Sequence, residues 1–321
     1  MDVAKLNLIT QKFFINSRVL NINKINSGLI NKTYIVEHLY NGIKSKFILQ
    51  SISNIFESKE VVTSNHKLIT DHIQKKINYS CFDFYLKRWE VPNLIRCKTN
   101  NLFILPFETE FWRAMIYIEE TFSYDSLEDE IMAYQTGLGL SKFHFICSDL
   151  DCSKLKESVK NFHNTKYYID QYIKNINIYN FKNLDIEIKA RIKILNKFLS
   201  NHLRYVDYLL MSLGRKSIDL NVIHGDPKLS NFLFDIKYKY VVSLIDLDSV
   251  SSGYYLIDLA DCIRSICNLA GEDPKNKEDV FFDINFCISF LKGYLSISQE
   301  NKNLSYRYLL EFIYLIIFEL T

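Results

Sequence analysis

The stretch "NVIHGDPKLSNFLFD", from Asn221 to Asp235, is the densest group of chemically capable side chains in the sequence. It contains a His, two Asp, a Lys and an Asn between two apolar runs. Short apolar runs bounded by turn-forming residues predict buried strands, so the polar segment is predicted to be a loop held between two strands. This loop is either an ordinary polar turn or a functional site.

The spacing of the acidic and amide residues favours a site. Asn231 follows Asp226 by five residues, and Asp246 ends the next apolar run, twenty residues after Asp226. Phosphoryl transfer needs one carboxylate facing the attacking hydroxyl, and an Asn and a second Asp that hold Mg²⁺ on the nucleotide phosphates. Hard oxygen ligands also suit Mg²⁺. We therefore interpret Asp226 as the base, and Asn231 and Asp246 as metal ligands.

Other residues of the same two segments have assignable roles. Lys228 could meet the transferring phosphoryl group as a positive charge, so we count it with Asp226 as catalytic. Asp248 is a candidate second metal ligand or a residue of a supporting network. His224 is predicted to support the loop rather than transfer a proton, because Asp226 is the better-placed base. The pattern H-G-D-x-K-x-x-N followed by I-D-x-D is similar to the protein-kinase pattern H-R-D-x-x-x-x-N with a later D-F-G.

Composition limits the class of protein. The 321 residues are 48% hydrophobic and carry a net charge of +2, which is typical of a globular chain with two lobes and gives no field for nucleic acid or anionic membranes. No segment reaches the ~18 apolar residues of a membrane span. Seven Cys without zinc-ligand spacing predict reduced thiols in the cytoplasm. We expect a small-molecule partner, and the oligomeric state is open.

The hydrophobic pattern changes along the chain. The first third predicts antiparallel strands, with a hairpin at "YNGI", and one helix in "SKEVVTSNHKLITDHIQKKI". From Ser126 onward the pattern is mainly helical, and it includes a long helix that we expect to break near His202. The predicted fold class is α+β, with a small antiparallel-sheet N-lobe over residues 1–118 and a larger, mostly helical C-lobe over residues 119–321.

Together these segments resemble the aminoglycoside phosphotransferase/choline kinase family, which has a protein-kinase-like fold, and within it the N-acetylhexosamine 1-kinases. The resemblance is carried by "SGLINKTYIVE", "FWRAMIYIEETFSYD", "NFHNT", "HGDPKLSNFLFD", "LIDLDSVSSG", "LIDLADCIRS" and "GEDPKNKEDVFFDINFCISFLKGYL". It covers the chain from about residue 20 to its end. It implies ATP and Mg²⁺ as cofactors, and transfer to the anomeric hydroxyl of an N-acetylhexosamine. The family continues beyond "IIFELT", which leaves a C-terminal truncation as one interpretation.

The segment "NSGLINKTY" is the predicted nucleotide loop. Ser27, Gly28 and Asn31 would cover the phosphates through backbone N–H groups. The segment has a single Gly, so it lacks the G-x-G-x-x-G pattern, and a plain hairpin turn is the alternative.

The third predicted strand ends in Gln50, where many kinases carry a phosphate-binding Lys. Lys46 lies on the same face of that strand and could supply the charge, or it could be a solvated surface Lys. Either Glu57 or Glu60 is the expected partner from the following helix.

Two groups of residues are predicted to contact or support the acceptor. Trp112 could stack on a sugar face and Arg113 could bind hydroxyls or phosphate, although burial of Trp112 in the core is equally compatible. Asp258 could hold sugar hydroxyls or the catalytic loop. Asp261 and Arg264 share its helix face and predict an ion network that braces the loop.

Two alternatives to a sugar kinase remain. The first is a kinase for choline, homoserine or an aminoglycoside, for which an acid-rich cleft would be expected. The second is a non-catalytic pseudokinase that binds a nucleotide or a protein partner.

Overall fold

The computed structural model describes residues 3–25, 30–79, 88–178, 184–214, 219–271, 276–298 and 308–320. The N-terminal part consists of two helices and six strands. These are α1 (Val3–Phe13), β1 (Arg18–Ile25), β2 (Lys32–Tyr40), β3 (Ile43–Ile52), α2 (Lys59–Tyr79), β4 (Leu94–Ile95), β5 (Leu105–Phe107) and β6 (Glu110–Ile116). The strands form one antiparallel sheet in the order β1-β2-β3-β6-β4, and β5 also pairs with β6. Helix α1 was not predicted.

The β2–β3 hairpin fixes which side chains face the cleft. Asn41 and Gly42 both have positive φ, 52° and 79°, as a two-residue type I′ turn requires, so the hairpin predicted at this position is confirmed. The resulting register places Gln50 opposite Thr33 in β2 and opposite Arg113 in β6. Because side chains alternate along a strand, the other face of the sheet forms an apolar core with α1.

The C-terminal part is mainly helical. Its elements are β7 (Thr121–Phe122), α3 (Glu130–Cys147), α4 (Thr165–Ile178), α5 (Ile186–Gly214), β8 (Asn221–Ile223), β9 (Phe232–Asp235), β10 (Val241–Leu244), β11 (Ser251–Gly253), α6 (Tyr255–Ile266), α7 (Ile284–Ser298) and α8 (Leu309–Leu320). The break expected near His202 was wrong: α5 is continuous, because no Gly or Pro interrupts it and its apolar residues keep helical spacing.

The two parts meet between β6 and β7. Strand β6 belongs to the N-terminal sheet, whereas β7 pairs with β9, which supports our proposal of a lobe division after residue 118. Helix α2 also packs on the C-terminal core through Ile69 and Ile73. This arrangement is the predicted α+β fold with a sheet-containing N-lobe and a helical C-lobe. Within the described residues, no helix has the length and apolar character needed to span a bilayer.

Candidate active site

The loop between β8 and β9 brings three of the predicted residues together. Strand β8 pairs with β11, and β9 pairs with β10, so each end of the loop is fixed by a buried strand pair. Asn231 donates through Nδ2 to the main-chain oxygen of Asp226 at 2.8 Å and to its Oδ2 at 3.5 Å. Lys228 Nζ lies 3.1 Å from Asp226 Oδ2. The Asp226 carboxylate remains 29% exposed, so an acceptor can reach it.

Asp258, near the start of α6, lies beneath the catalytic loop and binds its backbone. Its carboxylate accepts backbone N–H bonds from His224 at 2.7 Å and Gly225 at 2.8 Å, and His144 Nε2 lies 2.8 Å away. Burial alone would raise the pKa of Asp258, but the hydrogen bond and charge of His144 outweigh it and hold that pKa below its ordinary value. Both oxygens are therefore engaged and fully buried, which supports the alternative that Asp258 holds the catalytic loop and corrects its assignment as an acceptor contact.

His224 is buried inside the loop as a neutral ring. Its Nε2 lies 2.9 Å from the carbonyl of Ile245, which can only accept, while the backbone N–H of Asp226 donates to Nδ1 at 3.3 Å. Nε2 therefore carries the proton, and burial lowers the pKa of His224. Gly225 has φ of 84°, and a Cβ there would lie 2.7 Å from the main-chain oxygen of Ser249. These contacts support a positioning role for His224.

Asp246 follows β10, and one oxygen of its partly buried carboxylate, Oδ1, has no hydrogen-bond partner among the described residues. Its backbone is left-handed, with φ 62° and ψ 57°. Burial, followed by the charges of Asp248 and Asp226, raises the pKa of Asp246 to about 7. A strained residue with an unpaired carboxylate oxygen suits a cation ligand.

The donor set around Asp246 fits Mg²⁺. Asn231 uses its Nδ2 within the loop, which leaves its Oδ1 as the atom available to a metal. The part of the chain that the structure describes contains no group of three or more His, Cys, Asp or Glu side chains that could hold a metal ion by themselves. Mg²⁺ does not need such a group, because it keeps several waters and takes one or two carboxylates together with substrate phosphates.

Asp248 connects the two lobes and does not face the metal position. Its Oδ1 accepts from Arg113 Nη2 at 2.5 Å and its Oδ2 accepts from Asn31 Nδ2 at 2.8 Å. Asn31 in turn accepts the backbone N–H of Ser53 at 2.9 Å through Oδ1. Both carboxylate oxygens of Asp248 are thus bound by the N-lobe, which corrects its prediction as a second metal ligand.

A cleft of about 350 Å³ lies between the lobes. Its apolar walls come from both lobes, and its polar residues come from the N-lobe, the catalytic loop and the segment that follows β10. The apolar lining includes Ile35, Ile48, Met115, Leu233 and Ile245, and the polar lining includes Asn31, Gln50, His66, Arg113, Lys228, Asn231 and Asp246. Apolar walls next to a charged region match a planar base that carries phosphates. Ser27 and Gly28, predicted to cover those phosphates, lie outside the described residues.

Lys46 does not supply a charge to this cleft. Its Nζ lies 3.7 Å from Glu119 Oε2 and 5.2 Å from the Tyr117 ring centroid, and its side chain is 38% exposed. Gln50 faces the cleft, donates to Thr33 Oγ1 at 2.9 Å, and accepts from Arg113. The suggestion that Lys46 compensates for Gln50 is therefore corrected.

Helix α2 contributes a residue that the sequence analysis missed. Glu57 and Glu60 are both exposed, and Glu60 bonds Ser58, so neither is the expected partner at the phosphate site. The helix turns His66 toward the cleft instead, with Nε2 2.7 Å from the carbonyl of Pro92. Burial, followed by the charge of Arg113, lowers the pKa of His66 to about 4, so the ring is neutral at pH 7. His66 lies at helical spacing from Val62 and Ile69, which are both buried, and this spacing is the sequence signal that could have revealed it.

The two residues predicted to contact a sugar are buried in the N-lobe. Trp112 is 2% exposed and its ring lies 6.1 Å from that of Tyr34 in the core shared with α1, so it cannot be a stacking platform. Arg113 is 1% exposed, and Gln50 and Asp248 hold it at the interlobe cleft, so its prediction as a contact of acceptor hydroxyls is corrected, whereas a contact with phosphate stays a prediction.

Asp261 and Arg264 form the ion pair that their spacing predicted. Arg264 Nε donates to Asp261 Oδ1 at 3.0 Å, one turn along α6. Burial raises the pKa of Asp261 to about 6, and the opposite charge of Arg264 limits that rise. The pair lies beneath the catalytic loop, which supports its interpretation as a brace.

His163, from the quoted segment "NFHNT", is a further link to the loop that the sequence did not reveal. Its Nε2 lies 2.8 Å from the carbonyl of Gly225 and its Nδ1 lies 3.2 Å from Glu319 Oε2 in α8. Both partners are acceptors, so the ring donates from both nitrogens and is an imidazolium. Burial alone would lower the pKa of His163, but these two hydrogen bonds and the Glu319 charge raise it.

Glu319 also lines a second cavity, of about 600 Å³, between α4, α5 and α8. Its walls are mainly apolar, and Thr165 donates to Glu319 at its edge. The cavity therefore connects to the catalytic loop through Glu319 and His163.

Comparison with known proteins agrees with this geometry. The model of the phosphotransferase enzyme family (APH) matches residues 91–278, which is more than half of the chain. The choline kinase of Cryptosporidium parvum Iowa II is 16% identical, with 99% of this chain and 86% of that chain covered and a TM-score of 0.58. A spectinomycin phosphotransferase in complex with ADP and spectinomycin is 11% identical, with 97% and 93% covered and a TM-score of 0.55.

An aminoglycoside-3′-phosphotransferase of type VIII is 15% identical, with 99% of this chain and 98% of that chain covered and a TM-score of 0.51. At these identities the three structures show a shared fold with a sheet-containing N-lobe and a helical C-lobe. The match to the family model extends from the end of the N-lobe through the catalytic loop and α6, and the chain belongs to the phosphotransferase enzyme family.

Proposed function

We propose that this protein is an ATP- and Mg²⁺-dependent small-molecule kinase that transfers the γ-phosphoryl group to a hydroxyl of an uncharged acceptor, with an N-acetylhexosamine as the first candidate. The observation that carries the proposal is that Asn231 and Asp246 line one edge of the interlobe cleft and that Asn231 is hydrogen-bonded to Asp226, while the buried Oδ1 of Asp246 lacks a partner among the described residues. Such a carboxylate with an unpaired oxygen, beside a base and an amide ligand, matches phosphoryl-transfer chemistry.

Each residue of the loop has a separate role in this proposal. Asp226 orients the acceptor hydroxyl and takes its proton as the new O–P bond forms, while the bond from the γ-phosphorus to the β,γ-bridging oxygen breaks and ADP leaves. Its main chain is held by Asn231, and Lys228 compensates its charge. When bound by Asn231 and Asp246, Mg²⁺ would offset negative charge on the phosphates. His224 and Asp258 keep the loop rigid, so that Asp226 meets the acceptor in a fixed position.

We take the second cavity, which is linked to the catalytic loop through Glu319 and His163, as the acceptor pocket, and the proposed acceptor is uncharged because this cavity offers little negative charge. Glu319 is the one acidic residue among its described lining residues, and that carboxylate is already bound by His163 and Thr165. A cationic acceptor such as choline or an aminoglycoside would be favoured by several unpaired acids. The choice of an N-acetylhexosamine among neutral acceptors rests on the sequence resemblance.

The proposal is tested by ADP release with Mg²⁺–ATP and a panel of acceptors. The panel contains N-acetylglucosamine, N-acetylgalactosamine, glucose, choline, homoserine and one aminoglycoside. We expect turnover with an N-acetylhexosamine, and a loss of about 10²–10⁴-fold in kcat for Asp226→Asn, because general-base catalysis contributes on that order. Asp71→Asn, an exposed Asp paired with Lys67 on α2, is the matched control and should keep parental turnover.

The possible outcomes separate the parts of the proposal. Turnover with choline, homoserine or the aminoglycoside alone would overturn the neutral acceptor and retain the kinase. An Asp226→Asn variant as fast as the parent would overturn the catalytic role of the loop. Binding of Mg²⁺–ATP without turnover on any acceptor would favour a pseudokinase.

A further inference from the structure

Strand β3 offers no cation to the cleft. In protein kinases a Lys on this strand binds the nucleotide phosphates and is held by a Glu of the following helix. The side chains of β3 that line the cleft are Ile48 and Gln50, which are uncharged, and Lys46 is directed to Glu119. The helix that follows presents neutral His66. The Lys and the Glu that bind and position the nucleotide phosphates in protein kinases are therefore both absent from the positions where the sequence predicts them.

The neighbouring strand supplies a cation at the same point. Arg113 lies directly opposite Gln50 in the β3–β6 register and also lines the cleft. Its Nε and Nη2 donate to Gln50 Oε1 at 2.9 and 2.6 Å. Gln50 therefore acts as a fixed acceptor that aims the guanidinium, and its own amide is anchored on Thr33.

Asp248 supplies the counter-charge that a helix Glu would otherwise provide. Its Oδ1 accepts from Arg113 Nη2 at 2.5 Å, and both side chains are almost completely buried, at 1% and 5% exposed. A buried ion pair of this kind fixes the position of the cation rather than adding much stability. Because Asp248 lies two residues after Asp246, the same turn positions the cation and the predicted metal ligand.

Three polar atoms of residues that line the cleft have no partner among the described residues. They are Arg113 Nη1, Asp246 Oδ1 and His66 Nδ1, and all three are buried without a hydrogen bond. A buried donor left unpaired destabilises the folded state, so such groups need an explanation. An unpaired guanidinium donor and an unpaired carboxylate oxygen are complementary to a phosphate oxygen and its metal ion, respectively.

We propose that Arg113 is the phosphate-binding cation of this protein. Its Nη1 donates to a non-bridging oxygen of the α- or β-phosphate of ATP, and Gln50 and Asp248 position it. This inference rests on the proposed function, because it concerns the same nucleotide site. Arg113 thus replaces, from β6, the Lys that protein kinases carry on β3, and its guanidinium keeps its charge in the buried site where an ammonium could lose it.

The test measures nucleotide binding without an acceptor, so that no turnover is needed. Isothermal titration with ATP, ADP and adenosine, each with Mg²⁺, is compared for the parent and Arg113→Met. We expect Arg113→Met to weaken ATP and ADP binding by at least about tenfold while adenosine binding changes less than about twofold, because the charge acts on the phosphates alone. Arg96→Met, an Arg that packs on Phe103 outside the cleft, is the matched control.

Two further variants keep the result interpretable. Gln50→Lys combined with Arg113→Met returns the cation to β3 and should recover ATP affinity to within a few-fold of the parent. Arg113→Met combined with Asp248→Asn removes both charges of the buried pair and leaves no unpaired buried charge. This double variant replaces Arg113→Met in the binding measurements if the single variant does not fold.

The outcomes distinguish this inference from the proposed function. Equal loss of ATP and adenosine binding in Arg113→Met would show a structural role and overturn the inference. Parental ATP affinity in a folded Arg113→Met protein would overturn it as well. A parent protein that binds none of the three ligands would overturn the proposed function and this inference with it.

Discussion

Lys142 is a buried cation that the catalytic site does not use. It lies in α3, is 6% exposed, and its Nζ is 5.9 Å from the centroid of the Trp89 ring. No carboxylate of the described residues pairs with it. Burial lowers the pKa of Lys142 to about 8, so at pH 7 the folded state holds a charge that water would solvate better. The residue therefore opposes folding at neutral pH.

We expect Lys142→Met to stabilise the protein at pH 7 by up to about 3 kcal/mol, the size of the pKa shift at 1.36 kcal/mol per unit. The folded pKa lies below the unfolded value, so the penalty is complete below pH 8 and disappears as the pH approaches about 10.4. Urea unfolding at pH 7 and pH 9.5 measures both quantities, and the gain should shrink at the higher pH. Exposed Lys193→Met is the control, and an equal gain there would argue against burial as the cause.

At the scale of elements, α3 and α7 approach each other through two glycines. A Cβ added at Gly137 would lie 2.0 Å from the main-chain oxygen of Phe290, and one added at Gly293 would lie 1.9 Å from that of Tyr134. The contacts are with backbone, which cannot move aside as a side-chain tip can. Helix α3 carries His144, the residue that binds Asp258 beneath the catalytic loop, so this close packing also positions the site.

Gly137→Ala is expected to destabilise the protein by about 2–3 kcal/mol, because overpacking outweighs the gain of about 1 kcal/mol that Ala normally gives within a helix. Guanidinium unfolding of the parent and variant measures this difference. Gly139→Ala is a matched comparison, since its nearest neighbour is Val241 Cγ1, the end of a side chain, and it should cost less. A more stable Gly137→Ala protein would contradict the backbone approach.

At the scale of the whole molecule, His163 joins three segments that are distant in sequence. It is held by Glu319 of α8 and donates to the main chain of Gly225, next to Asp226. Its raised pKa means that the folded state binds a proton more tightly than the unfolded chain. This stabilisation is complete below the unfolded pKa of about 6.5 and is lost as pH rises through the higher folded pKa.

Glu319→Gln should therefore reduce stability by about 1–2 kcal/mol at pH 6, where the charged hydrogen bond is intact, and by less at pH 9. Urea unfolding at the two pH values gives the comparison. Glu311→Gln, on the same helix, is the control and should show little pH dependence. A loss for Glu319→Gln that is equal at pH 6 and pH 9 would exclude the imidazolium as its source.

Much of the architecture was predictable because it depends on local patterns. The positive φ that an Asn-Gly hairpin requires, the alternation of β2 and β3, and the helical spacing of α2 are all encoded in neighbouring residues. The catalytic loop was identified for the same reason, since Asp226 and Asn231 lie five residues apart on one turn. Predicting that Asp246 joins this site required the further assumption that the next hairpin brings it back to Asp226 and Asn231.

Local patterns were thus sufficient to predict the fold class and the phosphotransferase family, and they also predict Asp226 as the base and Asn231 and Asp246 as metal ligands. Which charges meet depends on contacts between elements that are distant in the chain. Lys46 and Arg113 are both candidate cations in the sequence, but strand register sets Arg113 against Gln50, and lobe packing brings it to Asp248. Spacing along a strand or helix defines the face of one element. The partner of a buried charge is set by desolvation and packing between elements far apart in the chain.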